Sequence, residues 1–251
     1  MTISVITIVR DHESGLAKTY QSLLKQDFSN WEMIIIVGES KDNTLEYARK
    51  LQLNDKRIHV VAQHGLGIYA AMNEGLKVTS RKFIWFMNAG DKFKDSSVIN
   101  NAINEVELHN AAIVIGGYQV DSEGAAQIYS LPFRRVSKFS FAFSRRGGCH
   151  QAMIFRNQAL QAAGGFNVCY SLAGDFDMVL RILKSKKVVR VPAVYASIEP
   201  GGRADKGIVQ VYKEKHDIRK EVLGGPFVFF ASITWTLLAC IKKVYKLLKV
   251  S

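Results

Sequence analysis

The segment Asn88-Ala89-Gly90-Asp91 follows an uninterrupted apolar run, Phe83 to Met87, which places a carboxylate at the end of a strand. A carboxylate there can hold Mg²⁺ or Mn²⁺ and, through the metal, the oxygens of a diphosphate. Ala89 and Gly90 are small enough for a ligand to approach the backbone, and Asn88 can assist through its amide oxygen or a bound water. Taken alone, Asp91 serves equally well to open a turn before Asp95 and Ser96 cap the next helix. A second acidic group lies in Gly174-Asp175-Phe176-Asp177. If a helix runs from Phe176 to Leu183, Asp175 sits at its cap, where backbone N–H groups favour the anionic carboxylate; such a group can accept a proton or simply cap the helix.

These residues need a frame to bring them together. Ile3 to Val9 is mostly β-branched and suits a strand buried on both faces of a parallel sheet. Leu16, Tyr20, Leu23 and Leu24 follow at helical spacing, and the run Trp31 to Val37 leads into Gly38-Glu39-Ser40-Lys41-Asp42 ahead of a helix carrying Leu45, Ala48 and Leu51. A strand at Ile58 to Val61, a helix after Gly67 and the strand ending at Asn88 continue the alternation, so the spacing predicts an α/β fold with a doubly wound sheet. In such sheets ligands bind beyond the carboxyl ends of the strands, so Val9-Arg10, Gly38-Glu39 and Asn88 to Asp91 are expected to meet at one crevice. Beyond it, a helix from about Ser97 to Leu108, a strand at Ile113 to Gly116 and shorter pieces predict a looser α+β half.

The 251 residues are 48% hydrophobic and 22% charged, enough for one well-filled core. A net charge of +12 calls for an acidic partner: nucleic acid, anionic lipid or a phosphorylated substrate. No RNP, helix-turn-helix or finger signature accompanies the charge, which argues against nucleic acid. Cys149, Cys169 and Cys240 lack CxxC spacing, and Met1 to Ile6 lacks a basic leader, so a reducing, cytoplasmic setting is expected.

Four stretches resemble the bacterial family 2 glycosyltransferases of GT-A fold that build colanic acid, O-antigen and capsule. They are Ser4 to Arg10, Gly38 to Thr44 (similar to DGGSTDGT), Gly67 to Gly75 (GIYDAMNKG) and Asn88 to Asp91 (NSGD). Further on, His150-Gln151 resembles the family's HQ, and Gly174 to Arg181 its SDYxLxxRL. The resemblance implies an inverting transfer from a UDP- or GDP-linked sugar, with Asp175 as general base and Asp177 the weaker candidate. It implies Mn²⁺ or Mg²⁺ on Asp91, which is the principal protein carboxylate because Gly90 stands where many relatives carry a second aspartate. Donor contacts are implied for Thr7, Val9, Arg10, Gly38, Glu39, Ser40, Gly67, Ile68, Met72, Asn73, Asn88, Ala89 and Gly90. Acceptor or diphosphate contacts are implied for His150, Gln151 and Arg203, although a structural role for His150 fits equally. The chain departs from the pattern at Val37 and Ala70, where the family has aspartates, and at Glu39, where it has glycine. Glu39 stands two positions from the lost carboxylate and can replace it, or the pocket has degenerated into a non-catalytic surface.

A rival reading rests on Gly65-Leu66-Gly67-Ile68-Tyr69-Ala70, which satisfies the G-x-G-x-x-A of NAD-binding oxidoreductases. It follows the third strand where that motif belongs after the first, and Asn88-Ala89-Gly90 separates Asp91 from its strand.

The predicted organisation is a catalytic domain over 1–205, with a nucleotide-sugar half over 1–95 and an acceptor half over 96–205, and a helical tail over 206–251. Gly224 to Ile241 is apolar but interrupted by Ser232, Thr234 and Thr236, short for a span. Lys213, Lys215, Arg219 and Lys220 flank it on one side, Lys242, Lys243, Lys246 and Lys249 on the other. Ile241, Val244, Tyr245 and Leu248 share a helical face opposite the lysines, the pattern of a helix lying on an anionic membrane. A peripheral position at the inner face of the cytoplasmic membrane, beside a lipid-linked oligosaccharide acceptor, is the expectation.

Overall fold

Every side chain from Trp31 to Val37 is buried, as a strand covered by helices on both faces requires. In the computed structural model, which describes residues 1–120, 126–133, 135–144, 148–201 and 207–223, this strand is β2. It lies between β1 (Ile3–Val9) and β3 (Ile58–Ala62), and β4 (Phe83–Phe86) flanks β1 on its other side, all four parallel. The crossovers are α1 (Glu13–Leu24), α2 (Thr44–Asn54) and α3 (Ile68–Val78), matching the predicted alternation.

After the two-residue strand β5 (Lys92–Phe93) and α4 (Val98–Leu108), the sheet turns mixed. β6 (Ile113–Val120), longer than its apolar core suggested, carries β7 (Gln127–Tyr129) as an antiparallel partner. The short α5 (Lys138–Ala142), a 3-10 turn at His150–Ala152, β8 (Met153–Arg156), α6 (Asn157–Ala162), α7 (Gly174–Ile182), β9 (Val188–Ile198) and α8 (Ile208–Leu223) follow. The order is β3-β2-β1-β4-β8-β6-β9-β5, with β8 antiparallel to both neighbours.

Alternation along the strands divides the core between two faces. Ile3, Val5 and Val9 of β1 pack with Leu16, Leu23, Ala48 and the buried face of α4. Ile6 packs on the other side with Met72, Leu76, Phe141, Phe176 and Leu180. Ile218 and Val222 of α8 belong to this second cluster. Beyond the predicted boundary at 205, α8 thus packs into the same core as the preceding elements. Lys215 and Arg219, read from sequence as part of a basic flank, are 5% and 2% exposed, whereas Lys213 and Lys220 are exposed. Periodicity could not reveal this, because the apolar partners that cover α8 come from distant segments. The expectations for Gly224 onward, and for Arg203, fall outside the described residues.

Candidate active site at the carboxyl edge of the sheet

The loops leaving β1 and β2 are laced together by short polar side chains. Gly38 N–H donates to the Val9 carbonyl at 2.8 Å, and the Asp11 N–H to the Ser40 hydroxyl at 3.1 Å. Thr44 and Asp42 accept from the His12 and Glu13 N–H groups, and Asp42 also receives the Thr44 N–H at 3.0 Å. Asp42 thus satisfies one of the free N–H groups at the start of α2. Asp11, at φ +49°, takes a left-handed turn that its own carboxylate secures by accepting from Lys41 N–H.

The loop after β4 is fixed more deeply. Fully buried Thr19 donates to the carbonyls of Asn88 and Asp91, at 3.1 and 2.7 Å, and accepts from Gly90 N–H. Gly90 has φ +99°, a conformation that strains any residue with a side chain, and a Cβ there would displace the Glu199 carboxylate, whose Oε2 lies 2.5 Å away. Asp91 is 5% exposed; its Oδ2 accepts from Gln151 Nε2 at 2.8 Å and its Oδ1 from Glu199 N–H at 3.0 Å. Burial raises its carboxyl above the usual range, and those two donors offset only part of the shift.

Gln151 and His150 are neighbours on the 3-10 turn, which Trp85 pins from the core by donating Nε1–H to the Gln151 carbonyl at 2.8 Å. His150 faces the other acid. Its Nε2 lies 3.1 Å from Asn88 Nδ2, and its Nδ1 lies 3.6 Å from Asp175 Oδ2. With the Asn88 amide donating to Nε2, the ring proton is assigned to Nδ1, facing Asp175. One turn therefore stands between the Asn88–Asp91 loop, to which it is bonded, and Asp175, which it faces.

Asp175 lies within the first turn of α7, because the helix starts at Gly174, earlier than the predicted Phe176. Its Oδ1 accepts from Phe176 N–H at 2.8 Å. The Tyr69 ring packs against Gly174, where a Cβ would meet it at 2.7 Å, and burial raises its hydroxyl well above the ordinary value, the nearby Asp175 and Gly174 N–H groups offsetting part of the shift. Asp177 is occupied elsewhere: 2% exposed, it pairs with Arg181 at 2.7 Å, and Arg181 also reaches the carbonyls of Ala163 and Gly165.

Among the described residues no three or more His, Cys, Asp or Glu side chains gather as a metal cage. Asp91 nevertheless keeps unused lone pairs on both oxygens, and the buried Asn88 Oδ1 nearby in the same loop has no protein donor. One carboxylate and one amide oxygen fit a hard, hydrated divalent cation that takes its remaining ligands from water and phosphate.

The profile of glycosyl transferase family 2 matches residues 4–164, which include β1 through β8 and both the Asn88–Asp91 and His150–Gln151 segments. The chain belongs to that family. An uncharacterized glycosyltransferase of Mycobacterium tuberculosis (strain CDC 1551 / Oshkosh) is 25% identical over 80% of this chain and 76% of its own length. A PGL/p-HBAD biosynthesis glycosyltransferase of Mycobacterium bovis (strain BCG / Pasteur 1173P2) is 23% identical over 74% and 71%. Among solved structures, S. aureus TarS 1-349 in complex with UDP-GlcNAc superposes with a TM-score of 0.71 at 16% identity, covering 89% of this chain and 68% of that one. Against a longer TarS chain the coverage is 40% of that chain. The mannosyltransferase PcManGT of Pyrobaculum calidifontis, in complex with GDP-Man and Mn²⁺, superposes at 0.64 with 13% identity over 95% and 75%. The fold is GT-A, and the protein is a glycosyltransferase.

Within this family 2 glycosyltransferase the implied donor residues divide into two groups. Arg10, Glu39 and Gly67 are exposed at the crevice, with Ser40, Ile68, Asn88 and Ala89 half-buried beside them. Thr7 and Met72 are fully enclosed and Val9 is 2% exposed, so their side chains serve the core. Asn73 is half-buried, and its amide holds Phe166, donating to its carbonyl and accepting its N–H, both at 2.8 Å. Val37 is buried in the core, while Glu39 is exposed. The Gly65-Leu66-Gly67 loop that suggested NAD follows β3, an edge strand, and is fastened by Glu74 accepting from His64 and Gly65 N–H groups. Glu199, Thr19 and His12 also shape the site; no spacing or motif signal in the sequence marks them.

Proposed function

We propose that this glycosyltransferase moves a sugar from a UDP- or GDP-linked donor onto a lipid-linked glycan, by an inverting displacement, in surface glycan assembly. The observation that carries the reading is the 3-10 turn, whose neighbouring residues bring the two acids together: Gln151 is hydrogen-bonded to Asp91, and His150 faces Asp175 at 3.6 Å. Asp175 accepts the proton of the acceptor hydroxyl as that oxygen bonds to the anomeric carbon. The anomeric bond to the diphosphate breaks on the opposite side, and the nucleoside diphosphate departs with the electron pair. The His150 ring faces the base with Nδ1, 3.6 Å from Asp175 Oδ2, while its other nitrogen stays on Asn88. Asp91 and Asn88 Oδ1 would hold Mn²⁺ or Mg²⁺, which supplies positive charge to the departing diphosphate. Exposed Glu39 takes the place of the missing aspartate at Val37 in contacting the nucleoside.

The donor class draws support from relatives solved with UDP-GlcNAc and with GDP-Man and Mn²⁺. The test is a panel of UDP-glucose, UDP-galactose, UDP-GlcNAc and GDP-mannose, with and without Mn²⁺ or Mg²⁺, read as nucleoside diphosphate release and as the anomeric configuration of the product. Metal-dependent release with inverted configuration is expected. Retained configuration would refute the displacement, and absence of binding by every nucleotide would favour a non-catalytic surface protein.

Residues Gly225 to Ser251 supply the membrane contact in this reading. No helix among the described residues is long and apolar enough to cross a membrane. A basic amphipathic segment at the interface keeps an enzyme beside acceptors that diffuse in two dimensions. Deleting Gly225 to Ser251 is expected to abolish cosedimentation with vesicles containing phosphatidylglycerol while leaving UDP binding intact; unchanged cosedimentation would count against the anchor.

A further inference from the structure

Helix α8 lies beyond the stretch matched by the family profile, and its polar side chains converge on the residues that deliver Asp175. The Glu214 carboxylate accepts from the backbone N–H groups of Ser171 (3.1 Å), Leu172 (2.9 Å) and Ala173 (2.8 Å), and from the Ser171 hydroxyl (3.0 Å). Burial alone would push this carboxyl up, but the Leu172, Ser171 and Ala173 donors more than offset it and leave it below the usual range. Gln210 reinforces the contact by donating to Ser171 Oγ at 2.7 Å and Glu214 Oε1 at 3.1 Å, and the Tyr170 hydroxyl donates to Glu221 at 3.2 Å. Beyond Asp175, the Phe176 ring carries the Lys215 and Arg219 cations at 4.9 and 5.4 Å, and Arg219 Nε donates to the Ala142 carbonyl at 2.7 Å.

Three consecutive N–H groups turned onto one carboxylate leave the 171–173 backbone a single conformation, directly ahead of the first residue of α7. Apart from the Tyr69 ring packed on Gly174, the contacts of the Asp175 side chain are its local bond from Phe176 N–H and His150 at 3.6 Å. Its place against the acceptor is therefore set through the loop. We propose that Glu214 is a positioning residue for the transfer reaction, holding residues 171–173 so that Asp175 stands over the acceptor hydroxyl, and that α8 belongs to the catalytic apparatus. The proposal rests on Asp175 being the general base.

The experiment compares the full-length chain with its Glu214→Gln variant, using whichever of the four nucleotide sugars the wild type consumes. Turnover, UDP or GDP affinity and amide hydrogen exchange across 170–176 are measured together. A kcat loss of about 10- to 100-fold is expected, the scale of an ångström of misplacement, with nucleotide affinity unchanged and faster exchange confined to that segment. Ser171→Ala, which removes one donor and keeps the three N–H groups, is expected to lower kcat about 2- to 5-fold, and stands in if Glu214→Gln does not fold. Wild-type kcat in the variant used would overturn the proposal. So would equal losses of kcat and nucleotide binding, which is what a purely structural role gives. Full turnover by Asp175→Asn would remove the premise; an inactive Asp175→Asn beside a fully active Glu214→Gln would overturn the positioning role alone.

Discussion

Asp175→Asn is expected to lower turnover by about 10²- to 10⁴-fold, the usual contribution of a general base, while nucleotide affinity stays within about twofold of wild type. Asparagine keeps the shape of the side chain and its Oδ1 can still accept from Phe176 N–H, so α7 should begin at the same residue. The amide cannot take the acceptor proton. The nucleotide is expected to contact the far side of the crevice, where Gly38, Glu39 and Asn88 to Asp91 lie, so affinity and turnover should separate cleanly. His150 Nδ1 faces Asp175 Oδ2 at 3.6 Å, too long for a hydrogen bond, so the NH₂ that stands there in asparagine breaks none. Single-turnover kinetics with saturating donor, alongside calorimetric UDP or GDP binding, measures both quantities. Normal turnover would end the assignment of Asp175 as base, and equal losses in both would indicate misfolding.

Asp91→Asn should act in the opposite way, removing metal-dependent nucleotide binding while sparing the fold. Loss of a buried charge from its partner typically costs about 2–5 kcal/mol, or about 30-fold to several thousandfold in affinity. The fold should tolerate the change because the site already strains against the charge: burial raises the Asp91 carboxyl above its usual value near 3.8. Between that value and the raised one, the native state holds a proton that the unfolded chain has released. Stability from this group is therefore greatest at low pH and falls as pH rises through the window. Asparagine carries no such penalty, and a turned Gln151 amide can present its oxygen to the new NH₂ group while Glu199 N–H keeps its acceptor. Without metal, Asp91→Asn is expected to melt at or above the wild-type temperature at neutral pH, measured by thermal unfolding. The same proton competes with the metal, so wild-type affinity for Mn²⁺ and nucleotide together should fall as pH drops through the raised value. Metal affinity without nucleotide should be weak, since one carboxylate and one amide oxygen make a sparse ligand set. Unchanged UDP affinity with Mn²⁺ in the variant would remove Asp91 from the metal site.

The sequence by itself determined the parallel half of the fold. Runs such as Ile3 to Val9 and Trp31 to Val37 are apolar on both faces, and only a strand covered by helices on both sides accommodates them. It also determined which strand ends would meet, because carboxyl ends of parallel strands share one edge; Gly38 and Ala89 are indeed bonded to the Val9 and Ile8 carbonyls. The residues Asp91, His150, Gln151 and Asp175 were legible as motif positions. What they hold was not. The Gln151–Asp91 and His150–Asp175 pairs, the Glu199 N–H on Asp91 and the cradle of Glu214 join residues far apart in the chain, and no periodicity encodes such meetings. Motif spacing likewise could not tell Thr7 and Met72, turned into the core, from Glu39 at the crevice. Most of all, Lys215 and Arg219 read as surface charge in a basic flank, since charge in sequence is assigned to water by default. Only tertiary structure could bury them against Phe176 and make α8 part of the site, because long cationic side chains find aromatic faces and carbonyls only when another segment brings these within reach.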